Sequence, residues 1–78
     1  MASWPAMPAP TPADLLDFER AHPRHNGSKE EKIIRELGIG PARYYQLLAR
    51  VAASPEGMQH DPLTARRVRE RGSRRLVA

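Results

Sequence analysis

"GSKEEKIIRELGIGPARYYQLLARVAA", residues 27–53, holds two helical patterns separated by a turn too short to be a linker. In the first, Ser28 and Glu31 have capping-box spacing, and Ile33, Ile34 and Leu37 then recur at helical intervals. Gly38 suits the left-handed position that closes a helix. Pro41, which has no amide to leave unpaired, suits the first turn of the next. In the second pattern Tyr44, Leu47, Leu48 and Val51 fall on one side, at the i, i+3, i+4, i+7 spacing of a core-facing stripe. That stripe is expected to pack on Ile33, Ile34 and Leu37, with helices at about 28 to 37 and about 41 to 53.

The other side of the second helix is different. It carries Ala42, Gln46, Ala49 and Ala53, with Tyr45 on one flank and Arg43 and Arg50 on the other. Such a face is slim, has no acidic group and offers donors at its edges, as a helix entering a major groove about 12 Å wide requires. Two helices on a short glycine-containing turn, one braced on the core and one with a polar outward face, predict a helix-turn-helix. The residues expected to read bases are Ala42, Arg43, Tyr45, Gln46 and Arg50.

Flanking segments complete an all-α reading with three to four helices. "TPADLLDFERAH" opens with Thr11 as N-cap, Pro12 as first helical residue and Asp14 three residues after the cap, and Pro23 ends it. "SPEG" breaks the helix that precedes it, and "DPLTARRVRERGSRR" begins on Asp61 and Pro62 and runs to an interruption at Gly72 and Ser73. The expected organisation is a flexible N-terminal tail at 1–10, a helix-turn-helix domain at 11–60 and a basic helix and tail at 61–78. Three of the eight prolines and no charge lie in residues 1–10, so these are expected to be extended and mobile, with Trp4 exposed.

Charge is distributed unevenly. Residues 1–60 carry seven Lys/Arg and seven Asp/Glu, whereas residues 61–78 hold six arginines against Asp61 and Glu70. A basic segment beside a neutral domain favours a polyanionic partner, and double-stranded DNA comes first; the plainer reading is a solvated tail. Phosphate contacts are expected from Arg66, Arg67, Arg69, Arg71, Arg74 and Arg75, joined by Ser28, Lys29 and Lys32 at the start of the second helix.

Other features point away from chemistry. With 78 residues, the chain holds one small core and little room for an enclosed active site, and no Ser/His/Asp or Cys/His arrangement can be assembled. His22, His25 and His60 have no spacing that fixes a ligand set, so neither a metal nor another cofactor is expected. Asp14, Asp17 and Glu19 read as helix-start and solvent-facing charges. Tyr44 reads as core. The absence of cysteine and of a long apolar run suits a cytoplasmic protein without a membrane partner.

"LGIGPARYYQLLARV" resembles the turn and second helix of winged and sigma-factor-type helix-turn-helix modules. Taken together, "LLDFER", "GSKEEKIIRELGI", "ARYYQLL" and "HDPLTARRVRER" resemble a family of small actinobacterial proteins of unknown function with a predicted helix-turn-helix. The likeness spans about Leu15 to Arg71 and implies DNA binding by fold analogy. Two positions depart from it: "AHPRH" replaces an aromatic residue at the end of the first helix, and Thr64 replaces an aliphatic one.

The expected function is therefore a small DNA-binding transcriptional regulator. The alternative is an adaptor docking on RNA polymerase or a sigma factor, a reading that the outward alanines suit because they form no base-specific hydrogen bond. One module reads few base pairs, so a homodimer or a partner protein is expected in either case.

Overall fold

The computed structural model describes the backbone of residues 9–77 and the side chains of residues 9–72. The expectations for residues 1–8, including Trp4, and for the side chains of Arg74 and Arg75 lie outside these. Five helices and no strand occur among the described residues: α1 (Pro12–Ala21), α2 (Gly27–Lys32), α3 (Pro41–Ala52), α4 (Pro55–His60) and α5 (Pro62–Val77). Helix α2 passes directly into a π-helical turn over Ile33–Leu37. The domain is all-α, with more helices than the three to four expected.

Local chemistry accounts for where each helix starts. At α1, Thr11 and Asp14 form a reciprocal capping box: the Asp14 amide donates to Thr11 Oγ1 at 3.1 Å and the Thr11 amide donates to Asp14 Oδ2 at 2.9 Å. The α2 cap is Asn26 and not Ser28, the Lys29 amide donating to Asn26 Oδ1 at 2.9 Å. The cap thus lies two residues earlier than expected, and Lys29, four residues before Ile33, is buried like it. At α5 the Thr64 amide donates to Asp61 Oδ1 at 3.1 Å, and the Asp61 carboxyl is held below its ordinary pKa by the Thr64 side chain first and by this amide in addition.

Helix α4 corrects the reading of "SPEG" as a simple break. Ser54 Oγ accepts from the Gly57 amide at 3.0 Å and Pro55 occupies the first turn, so the same residues that end α3 cap a new helix. Gly57 is what lets α4 fold back. A Cβ placed there would lie 2.0 Å from the Val51 carbonyl oxygen. Nor does Gly72 interrupt α5, which continues through it to Val77.

The core consists of Leu15, Leu16 and Phe18 from α1, Ile33 from the π turn, Tyr44, Leu48 and Ala52 from α3, and Ala65 from α5. Leu47 and Val51, expected on the core-facing stripe, pack half-buried against the core, and Ala52 is fully buried in it. Ile34 is corrected outright: it is 56% exposed. The π turn explains this, because a turn wider than the α-helix's 3.6 residues stacks every fourth residue more nearly in line. Lys29, Ile33 and Leu37 therefore share the inner side, and Ile34 is turned out. At the two places where the resemblance leads to other residue types, His22 lies tilted against Phe18 with ring centres 4.6 Å apart, and Thr64 is buried. No described helix is long and apolar enough to cross a membrane.

Candidate functional site

The turn between the π segment and α3 consists of Gly38, Ile39 and Gly40. Gly38 adopts φ 71°, ψ 20°, the left-handed conformation, and its amide donates to the Ile34 carbonyl at 3.1 Å. Ile39 is half-buried against the core, which anchors the turn and fixes where α3 begins. With Tyr44 and Leu48 facing inward, α3 presents Ala42, Arg43, Gln46, Ala49 and Arg50 as exposed residues, and Ala53, just past its end, is exposed as well. Arg43, Gln46 and Arg50 make no side-chain hydrogen bond or ion pair among the described residues, so their donors remain available. Tyr45 is placed differently. It is half-buried, with its hydroxyl 2.8 Å from His25 Nδ1.

Beneath this face lies a polar network centred on Glu19. This carboxylate is 2% exposed, not solvent-facing as expected. Lys29 Nζ and the Tyr44 hydroxyl both donate to Oε1 at 2.7 Å, and Arg71 donates to Oε2 at 3.0 Å. One acidic group from α1 thereby ties together α2, α3 and α5. Burial holds the Lys29 pKa below its ordinary value, with Glu19 opposing the shift, and burial together with the Glu19 hydrogen bond raises that of Tyr44. Arg71 also meets His25 Nε2. A guanidinium has only donors, so the hydrogen of that contact comes from Arg71.

This network decides which of the expected phosphate donors reach the surface. Lys29 is 2% exposed and paired with Glu19, so it offers no surface donor. Arg71 is turned inward, and Arg69 donates to the Ala52 carbonyl at 2.6 Å, closing the C-terminal end of α3. Arg66 is exposed and pairs with Glu70 one turn on, at 2.9 Å. Arg67 is exposed with no such bond. Ser28 and Lys32 line a shallow basic groove that also includes Arg24, a residue that charge counting along the sequence does not single out.

The inward residues have a legible signal. Glu19 follows Leu15 by four residues on the buried side of α1, Lys29 precedes Ile33 by four, and Arg71 follows Val68 by three. Charge type alone places each of them at the surface; position in the stripe places each of them inside. The histidines are likewise dispersed: His22 on Phe18, His25 between Tyr45 and Arg71, and His60 2.8 Å from Asp17. No cluster able to hold a metal ion occurs among the described residues.

Residues 10–77 match the family described as "Protein of unknown function (DUF3263)". No curated protein and no solved structure matches the chain.

Proposed function

We propose that this chain, which belongs to the DUF3263 family, is a DNA-binding protein, a small transcriptional regulator built as a helix-turn-helix. The observation that carries this reading is the outward face of α3, where Arg43, Gln46 and Arg50 stand exposed and unbonded beside small alanines, with no acidic residue on the helix. Arginine pairs with guanine edges and glutamine with adenine edges, while alanine permits close approach. Behind the helix, the buried Glu19 network fixes its orientation, so the readout residues are presented on a rigid element. Arg66 and Arg67 on α5, and Ser28, Lys32 and Arg24 around α2, supply phosphate contacts that position the protein without reading sequence. No catalytic step, metal or cofactor belongs to this function.

The adaptor reading rests on one observation: Ala42, Ala49 and Ala53 are all exposed, and their methyl groups suit a protein surface as well as a groove. Selection of bound duplexes from a random pool by the full-length chain, followed by footprinting, separates the two. Enrichment of a defined site is the expected result. Salt-sensitive binding with no enriched sequence, together with specific retention of RNA polymerase or a sigma factor, would replace the regulator by the adaptor.

A further inference from the structure

Between α1 and α5 the surface folds into a small cavity of about 40 Å³, lined by Arg20, Arg67, Arg71, Thr64 and Glu19 among others. Three arginines from two helices line it. The one acidic side chain in the lining, Glu19, is already engaged by Lys29, Tyr44 and Arg71, so it leaves the other two arginines unbalanced. Arg20 and Arg67 are exposed and make no hydrogen bond or ion pair among the described residues. Asp61 feels the charge of Arg20 but is not within ion-pair distance of it.

We infer that this cavity is an oxyanion site that takes a phosphoryl group. Planar guanidinium forks match the oxygen geometry of phosphate, and two unpaired arginines supply the charge to hold it, as a monoester or a diester. The volume agrees, being several times the roughly 10–15 Å³ that one water requires, yet too small for the body of an organic ligand. The site therefore receives a terminal or backbone phosphate and leaves the rest of the bearer outside. Arg71, held by Glu19, borders the cavity, while Arg20 and Arg67 supply the donors that close on the anion. No residue of α3 lines the cavity, so the site stands apart from the groove-reading face.

Titration of the full chain with inorganic phosphate, followed by amide chemical shifts, should move the resonances of Arg20, Thr64 and Arg67 to saturation. Arg20→Gln and Arg67→Gln should each weaken that binding about tenfold, as expected when one charge-assisted hydrogen bond is removed. Their melting curves should match the parent, since neither side chain bonds to the fold. A second arm adds a duplex oligonucleotide: displacement of phosphate from the same resonances assigns the site to the nucleic-acid backbone, and undisturbed phosphate binding assigns it to a free or monoester phosphate. Both outcomes keep the oxyanion site. Absence of saturable phosphate shifts, or unaltered affinity in both variants, would overturn it. Loss of sequence recognition on changing α3 leaves this result untouched, so the two readings fail separately.

Discussion

Lys29 Nζ lies 2.7 Å from Oε1 of Glu19, with both side chains 2% exposed, so α1 and α2 are joined by an ion pair sealed inside a small domain. Arg71 and Tyr44 bind the same carboxylate, which makes the cluster asymmetric: Glu19 has three donors, whereas Lys29 is given one acceptor. Glu19→Leu should therefore cost about 3–5 kcal/mol, because it strands a buried ammonium and a hydroxyl. Lys29→Met should cost only about 1–3 kcal/mol, since Arg71 still balances the carboxylate. The double variant Glu19→Leu with Lys29→Met should be more stable than Glu19→Leu alone. Urea unfolding of the parent and the three variants measures the coupling, and simple additivity would mean the pair is not sealed as described.

Tyr44 predicts an alkaline limit. Its pKa is raised above the ordinary 10.0, so the folded state holds the phenol proton more tightly than the unfolded chain. The stability this contributes is fully present below pH 10 and is lost as pH rises beyond it. Lys29 has the opposite sign: its lowered pKa imposes a penalty at neutral pH that is relieved as pH climbs toward 10.5. Tyr44→Phe should lower stability at pH 7 by about 1.5–3 kcal/mol, the worth of a hydrogen bond to a charged group, and flatten the decline above pH 10. Denaturant midpoints taken across that range would show it.

Two glycines give a controlled comparison. A methyl at Gly57 would meet the Val51 carbonyl at 2.0 Å, so Gly57→Ala must push α4 away from the end of α3, at about 1–3 kcal/mol. At Gly27, the first residue of α2, nothing lies within 4 Å of the added carbon, and Gly27→Ala should change the melting temperature little. Equal effects would place the close approach of α3 and α4 elsewhere.

The sequence is most legible where chemistry is local. Caps at Thr11 and Asp61, the left-handed Gly38 and the Tyr44–Leu48 stripe follow from rules acting over four or five residues, and the structure has them. Ser54 and Pro55 also form a readable start, but Pro and Gly serve as both breakers and initiators, and only the fold-back against Val51 decides between those roles. Ile34 shows a second limit: the π turn that exposes it widens the helix without any proline or glycine inside it. Glu19, Lys29 and Arg71 show a third. Charged side chains on an apolar stripe stay inside only if partners from other helices arrive, and helical spacing within one segment does not say which those are.

If α3 reads a groove, Arg43→Ala and Gln46→Ala should leave the fold unchanged, because both side chains are exposed and bonded to nothing. Each should reduce discrimination between the selected site and a scrambled duplex by about 1–3 kcal/mol, the worth of one direct hydrogen-bonded pairing with a base edge. Equal affinity for both duplexes, matching the unaltered chain, would favour the adaptor.

The basic helix tests the electrostatic half of the proposal, and the structure changes which arginines to choose. Arg71 holds Glu19 and Arg69 caps α3, so replacing either would confound binding with folding. Arg66 and Arg67 avoid this: both are exposed, and the Arg66–Glu70 pair is a surface i,i+4 interaction of the kind that contributes only about 0.3–0.5 kcal/mol. With both changed to Gln, the plot of log affinity against log salt should flatten by about 0.9 for each phosphate no longer neutralised. Sequence discrimination should persist, because phosphate contacts fix register without reading bases. A flattened slope with intact discrimination assigns these arginines to the backbone. An unchanged slope with loss of a protein partner would instead assign α5 to an acidic protein surface.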